Sequence, residues 1–107
     1  MKIEWLAGLL EGEGCFTYWH GKQVGYPVIS VGMTDLDVIE RIAQFWNKKV
    51  QHRIRKQPWK PFFVTAIGGT EALSQMLTLY PHMGNRRQQR IEDVLSSWEH
   101  SVAPRVK

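Results

Sequence analysis

The most chemically suggestive part of the 107-residue sequence is a short segment in which acidic residues alternate with glycines. Residues 6–14 read Leu-Ala-Gly-Leu-Leu-Glu-Gly-Glu-Gly. Apolar residues at positions 3, 6, 7, 9 and 10 follow a helical period. Glu13 would therefore lie where a helix ends, and its negative charge would oppose the helix macrodipole. Binding of a divalent cation removes that penalty, so Glu13 is a candidate metal ligand.

Two glycines inside the same predicted helix need a packing reason, because each costs roughly 0.5–1 kcal/mol relative to alanine. Gly8 and Gly12 are four residues apart and share one face of the helix, beside Ala7. Such a strip lets two helix backbones approach closely. A second copy of the helix, related by a two-fold axis, would use this strip. The predicted homodimer interface comprises Leu6, Ala7, Gly8, Glu11 and Gly12.

The net charge of +4 is unevenly distributed along the chain. Residues 1–46 contain three basic and six acidic residues, whereas residues 47–60 contain six basic residues and no acidic one. A second basic group consists of Arg86, Arg87 and Arg90. Concentrated positive charge of this kind favours contacts with phosphates. The four histidines and Cys15 lack the spacing of zinc ligands, which argues against a zinc site.

Length and composition predict one domain over residues 1–107, since 43% hydrophobic residues suffice for one core. The single cysteine excludes an intrachain disulfide. The longest apolar run near the start, residues 5–10, is too short for a secretory signal or a membrane span. We therefore expect an intracellular protein without a membrane partner.

The remaining pattern predicts two β-hairpins separated by a helix and followed by two more helices. Thr34 and Thr70 are predicted N-caps, and Pro81 ends the helix that follows Thr70. This order gives an α+β fold with one antiparallel sheet covered on one face by helices. The predicted ranges are a helix at 3–12, strands at 15–20 and 24–31, a helix at 35–46, strands at 50–56 and 62–67, and helices at 71–80 and 86–100.

Alternation along the predicted strands indicates which side chains point away from the core. An antiparallel strand pair fits the major groove of DNA, where Arg reads guanine and Gln reads adenine. A solvated sheet face is the structural alternative, and Trp19 could equally be a core residue. The candidate DNA contacts are Thr17, Trp19, Lys22, Gln23, Tyr26, Ser30, Gln51, Arg53, Arg55 and Lys60.

Residues 6–14, with Trp5 before them and Cys15 and Phe16 after them, closely resemble the signature of the LAGLIDADG homing endonucleases. The predicted order of elements resembles that family over nearly the whole chain, and residues 81–89 resemble its later basic segment. The resemblance implies an αββαββα core whose four-stranded antiparallel sheet forms a DNA-binding saddle, with helices on its other face. It also implies double-stranded DNA as the partner.

The resemblance further implies roles for particular residues. Glu13 and the backbone carbonyl of Gly14 would bind metal, with two or three Mg2+ ions shared across a homodimer. Arg86 stands where many members of the family carry a catalytic lysine, and Arg87 would share its task near the scissile phosphate. The implied activity is site-specific cleavage of a palindromic or near-palindromic DNA target in intron homing.

Two positions depart from the family pattern. Gly32 and Met33 stand where a polar residue often orients water, and Arg86 is a poor proton donor. These departures keep two other functions open: a sequence-specific DNA-binding protein without efficient cleavage, acting as a repressor or adaptor, and an intron maturase.

Overall fold

The signature segment forms a helix that leads directly into the first strand of a sheet. The computed structural model describes residues 1–20, 25–53 and 60–102. Lys22, Gln23 and Arg55 lie outside these described residues. The helices are α1 (Ile3–Glu13), α2 (Leu36–Trp46), α3 (Thr70–Leu79) and α4 (Asn85–Val102), and the strands are β1 (Gly14–Trp19), β2 (Tyr26–Met33), β3 (Gln51–Arg53) and β4 (Phe62–Gly68).

The strands form an antiparallel sheet in the order β1-β2-β4-β3. Phe16 pairs with Ile29, which in turn pairs with Ile67, so this row of large apolar residues points to one side. The α+β fold predicted from the sequence is confirmed. No helix within residues 1–20, 25–53 and 60–102 is both long and apolar enough to cross a membrane.

One hydrophobic core lies between the sheet and the helices, because each helix carries apolar residues at helical spacing. Leu6 and Leu10 of α1 are fully buried in it. Among the polar residues that the structure describes, Thr65 is buried, and its hydroxyl donates a hydrogen bond to the Lys49 carbonyl at 3.1 Å. The other helices contribute Ile39, Ile42 and Trp46 of α2, Ala72, Met76 and Leu79 of α3, and Ile91 and Val94 of α4.

Several predicted boundaries are wrong by a few residues. The N-cap of α2 is Asp35 rather than Thr34, and Gly69 precedes α3 in place of Thr70. Gly69 has a φ of 70°, a conformation that glycine adopts more readily than other residues. The first helix continues through Gly12 to Glu13. The third strand covers only Gln51–Arg53, and residues 54–56 of the predicted strand lie outside the described part of the chain.

Candidate nucleic-acid interface and metal site

The side of the sheet that faces away from the core, called here the outer face, carries polar and aromatic side chains from β1 and β2. Trp19 pairs with Tyr26, and their rings lie 5.2 Å apart. Trp19 is 56% exposed, which excludes a core position for it. Thr17 lies opposite Val28, and Cys15, also exposed, lies opposite Ser30. Directly opposed residues of antiparallel strands share a face, so all six belong to the outer face.

The other half of the outer face is formed by β3 and β4. Gln51 pairs with Val64 and Arg53 with Phe62, which places both polar side chains on the same side of the sheet. Gln51 and Arg53 are exposed at the sheet edge. Lys60 is exposed just before β4. The described candidates for DNA contact therefore lie on the outer face, except Lys60, which precedes it.

The end of α1 presents Glu13 to solvent. Its carboxylate forms no hydrogen bond or ion pair with any residue in the described ranges. Gly14 caps the helix through a hydrogen bond from its N–H to the Leu10 carbonyl, and it is also the first residue of β1. A Cβ at residue 14 would lie 2.7 Å from that carbonyl oxygen, so glycine allows the direct passage from helix to strand.

Glu11, two residues earlier, is engaged by two contacts within the chain. Its Oε1 accepts a hydrogen bond from the Gly84 N–H at 2.8 Å, and its Oε2 lies 3.9 Å from Nε of Arg87. Arg87 Nε also donates to the Glu11 carbonyl at 3.0 Å. Glu11 was predicted at the dimer interface and Arg87 at the scissile phosphate. In this chain the two side chains instead contact each other and the start of α4.

Three arginines of α4 lie beside β1. Arg86 and Arg90 are exposed, and Arg87 is half-buried. Arg90 donates from Nε to the Phe16 carbonyl at 2.7 Å, which fixes the start of α4 against β1. Arg86 forms no such contact with the residues that the structure describes. Together with Cys15, Thr17, Gln89 and Asp93, the arginines line a shallow groove of about 360 Å³ that borders the outer face.

The turn before α4 is anchored by polar contacts of Tyr80. Its hydroxyl donates to Glu92 Oε2 at 2.5 Å, and its carbonyl accepts a hydrogen bond from Gln88 Nε2 at 2.9 Å. The hydrogen bond to Glu92 raises the pKa of the Tyr80 phenol above its ordinary value. These contacts join the 3-10 turn Tyr80–His82 to α4, next to Arg86 and Arg87.

The two sides of α1 differ sharply. Leu6 and Ala7, predicted at a dimer interface, are 0% and 2% exposed within this chain, so their side chains offer almost no surface to a second copy. Their side chains fill the core instead. Gly8 and Gly12 are exposed, and a Cβ at either would meet no described atom within 4 Å. Trp5 is on the same side, 36% exposed, with the Arg41 guanidinium 5.0 Å from its ring.

The end of β2 lacks a polar side chain, as its sequence requires. Gly32 is on the outer face, where a Cβ would lie 2.6 Å from the Phe62 ring. Met33 is half-buried and packs against the core. The Phe62 ring thus occupies space beside Gly32 that a polar side chain would need.

Glu13 and Gly14 offer a carboxylate and a carbonyl, the oxygen ligands that Mg2+ prefers. Glu13 fits such a role because it is exposed and not engaged by any described group. Across the described ranges, no three His, Cys, Asp or Glu side chains form a cluster that could hold a metal ion. One chain therefore supplies only part of a metal ion's coordination from these two residues.

The α+β arrangement, with a glycine-rich helix entering an antiparallel sheet, is the LAGLIDADG fold. Solved structures similar to this chain include homing endonucleases and a LAGLIDADG meganuclease. Identities of 14–17% support a common fold. No protein-family profile and no curated protein sequence matches the chain.

Three examples, each solved with DNA, show the extent of the similarity. The homing endonuclease I-CvuI, with its target, is 16% identical over 87% of this chain and 63% of its own, with a TM-score of 0.62. The group I intron-encoded homing endonuclease I-CeuI is 17% identical over 88% and 52%, with a TM-score of 0.64. The LAGLIDADG meganuclease I-AabMI, bound to uncleaved DNA, is 14% identical over 98% and 38%, with a TM-score of 0.68. This chain thus spans less than two thirds of each.

Some residues of the site carry no sequence signal that reveals their contacts. Gly84 and Arg90 meet partners 73 and 74 residues away, respectively. Local periodicity reports only neighbours along one element, so it identifies neither contact. The signals for this part of the site are the basic residues around Arg86 and the family resemblance of residues 81–89.

Proposed function

We propose that this protein is a site-specific endonuclease that cleaves double-stranded DNA as a homodimer with Mg2+. The observation that carries the proposal is Glu13, a carboxylate that is exposed and unengaged by described residues where α1 enters β1. The outer face begins at the same junction. DNA-bound endonucleases of the same fold support the assignment.

DNA would lie along the outer face of the sheet. Arg53 and Gln51 would read base edges in the major groove, with Thr17, Tyr26 and Ser30 on the neighbouring strands. The aromatic pair Trp19 and Tyr26 offers a rigid apolar surface to the sugars or to a thymine methyl group. Lys60 would contact phosphate, and the predicted contacts Lys22, Gln23 and Arg55 complete the surface.

Within the catalytic site, the Glu13 carboxylate and the Gly14 carbonyl would hold the divalent ions, two or three of them shared across the dimer. Bound Mg2+ supplies water activation and stabilisation of the leaving oxygen in phosphodiester hydrolysis. Arg86 would bind the scissile phosphate and stabilise the negative charge that develops on it. A guanidinium is a poor proton donor, so a water molecule rather than this side chain would protonate the leaving group.

The second copy would dock on the outer side of α1, defined by Trp5, Gly8 and Gly12. These residues recur at helical spacing and are exposed. Because no described atom fills the space above Gly8 and Gly12, their lack of a side chain serves no packing within this part of the chain. Close approach of a second α1 accounts for both glycines and would bring the two Glu13 carboxylates together. Two-fold symmetry then implies a palindromic or near-palindromic target of which each copy would read one half, and a role in intron homing.

A sequence-specific DNA-binding protein without efficient cleavage is the second candidate. It is favoured by one observation: the Phe62 ring beside Gly32 leaves no polar side chain to orient water at the end of β2. On this alternative the outer face still binds DNA, and Glu13 is dispensable.

The two candidates are separated by selection from a library of palindromic DNA duplexes, in Mg2+ and in EDTA. The endonuclease produces Mg2+-dependent double-strand breaks at one site, and Glu13→Gln removes the cleavage but keeps the binding. Glu4→Gln is the matched control, because Glu4 is an exposed carboxylate in the first turn of the same helix. Specific binding without any cleavage by the native protein would establish the second candidate. If sedimentation shows only one 12.5 kDa chain bound to each DNA duplex, an active site shared between two copies is excluded.

A further inference from the structure

The end of α1 and the start of α4 cap one another. Gly84 stands at the N-cap of α4, since its carbonyl accepts a hydrogen bond from the Gln88 N–H at 2.9 Å. In an ordinary capping box, a Glu or Gln three residues after the N-cap accepts the hydrogen bond of the N-cap N–H. Here that position is Arg87, a cation that cannot accept. Glu11 of α1 accepts it instead, through Oε1 at 2.8 Å.

Arg87 performs the complementary task for α1. The last carbonyls of a helix lack intrahelical partners, and a positive charge there is favourable. No basic residue lies in the last turn of α1, which instead contains Glu11 and Glu13. Arg87 of α4 donates from Nε to the Glu11 carbonyl at 3.0 Å, and lies 3.9 Å from the Glu11 carboxylate.

The carboxylate of Glu11 lies directly against Gly84. A Cβ on Gly84 would meet Oε1 of Glu11, so a side chain at residue 84 would displace that carboxylate. The other carboxylate oxygen, Oε2, is buried and accepts no hydrogen bond from the described residues, so the nearby Arg87 charge is its main compensation. Glu11, Gly84 and Arg87 therefore form a defined unit, called here the clamp.

From this geometry we infer that the clamp is a positioning device, and that Arg87 acts on the metal site through α1 rather than on the scissile phosphate. The inference rests on the proposed function. Glu11 lies two residues before Glu13, and Arg87 follows Arg86 directly. The clamp thus joins the backbone that carries the metal ligand to the backbone that carries the phosphate-binding residue, and fixes one relative to the other.

The test compares Arg87→Met with Arg90→Met in the full chain bound to its DNA target. Both variants remove one positive charge from the same helix, and in both native residues Nε donates to a backbone carbonyl. The carbonyl that accepts from Arg87 belongs to Glu11 of α1, whereas the one that accepts from Arg90 belongs to Phe16 of β1. The measurements are Mn2+ affinity by electron paramagnetic resonance, the Mg2+ concentration for half-maximal single-turnover cleavage, and DNA affinity in EDTA.

Loss of a group that orients a metal ligand typically costs about ten- to a hundred-fold in metal affinity. We expect Arg87→Met to weaken Mn2+ binding by that factor and to raise the Mg2+ requirement in parallel, with DNA affinity equal to that of Arg90→Met. Arg87→Lys, which keeps the charge, should recover part of the affinity. Arg86→Met should lower the maximal rate without changing the Mg2+ requirement.

If Arg87→Met does not fold, Glu11→Gln tests the same contact, because its amide oxygen still accepts from Gly84 while the charge that faces Arg87 is lost. If the folded Arg87→Met or Glu11→Gln variant binds Mn2+ as tightly as the native protein does, the inferred positioning role of the clamp is wrong. A native protein that binds Mn2+ but cuts no DNA would overturn the endonuclease proposal, and the Mn2+ comparison would still decide the role of Arg87. A native complex that binds no Mn2+ would overturn both.

Discussion

The two sides of α1, an eleven-residue helix, differ in burial: the inner side packs against the sheet and the outer side is exposed. On the inner side, Leu6, Ala7 and Leu10 are buried against the sheet, and their identities are set by the packing of this chain. On the outer side, Gly8 and Gly12 face open space and Trp5 is partly exposed. The inner side therefore explains how the helix is held, whereas nothing within the described chain accounts for the two outer glycines.

The last turn shows the same division in its two carboxylates. Glu11 is engaged by Gly84 and Arg87, and Glu13 by no described group. Two acidic residues with similar sequence context thus differ in what the fold requires of them. A residue that the fold does not require is the better candidate for chemistry with a ligand.

The largest effect should come from Leu10→Ala, which leaves a cavity on the inner side. Loss of a fully buried leucine typically costs about 2–5 kcal/mol of unfolding free energy. Urea unfolding should show this loss equally at two protein concentrations. Trp5→Ala, its counterpart on the outer side, should reduce stability mainly at the concentration where the dimer forms, because only dimer association depends on concentration. If both variants lose the same unfolding free energy at both protein concentrations, the outer side of α1 is not a dimer interface.

Gly14→Ala and Gly12→Ala compare a crowded glycine with an open one. At Gly14 the added methyl group meets the Leu10 carbonyl, and overpacking of this kind costs about 1–3 kcal/mol. At Gly12 the same change should stabilise the isolated monomer by about 0.5–1 kcal/mol through helix propensity. The dimer should nevertheless dissociate more readily, as sedimentation equilibrium would show. A Gly12→Ala dimer as tight as the native one would move the interface elsewhere.

Glu11→Ala and Glu13→Ala test the two carboxylates by thermal and urea unfolding. Removal of a capping acceptor costs about 0.5–2 kcal/mol, so Glu11→Ala should be the less stable variant. Glu13→Ala should gain about 0.3–1 kcal/mol, because a negative charge at a helix C-terminus opposes the macrodipole. Glu13→Ala, although the more stable of the two variants, should lose more of the DNA cleavage activity. Destabilisation by Glu13→Ala would show that its carboxylate has an internal role.

The smallest effect is expected for Arg41→Ala, which removes the cation above the Trp5 ring on the outer side. Exposed contacts of this kind are worth about 0.5–1 kcal/mol, and we expect a loss of that size or less in the monomer. Arg41→Lys should retain part of the stability, since it keeps the charge. The double variant with Trp5→Ala completes a cycle in which a coupling energy of zero would show that the ring and the guanidinium do not interact.

The sequence was sufficient for the order of helices and strands, for the outward residues of the first two strands, and for Gln51 and Arg53 in the third. Periodicities of 3.6 and 2 depend on local burial, and local burial follows the residue types directly. The choice of Glu13 as a metal ligand stays a prediction, in which the signature and the helix dipole identify the same residue.

The sequence does not show that Leu6 and Ala7 are buried within this chain, and it missed the partners of Glu11. A helical wheel places Ala7 beside Gly8, but it does not show where the boundary between the buried and exposed sides falls. That boundary depends on which way the sheet approaches α1, a long-range property of the fold. The partnership of Glu11 with Gly84 and Arg87 is long-range in the same sense, so only the folded structure reveals which acidic residue is occupied.

The hydrogen bond from Arg90 to Phe16 has a consequence for how this protein avoids aggregation. β1 is an edge strand, and an edge strand offers its unpaired backbone groups to any other strand that approaches. The Arg90 guanidinium occupies one such acceptor at 2.7 Å and places a positive charge beside the edge. A strand from another molecule would have to displace that side chain, so Arg90 of α4 hinders strand addition at the β1 edge of the sheet.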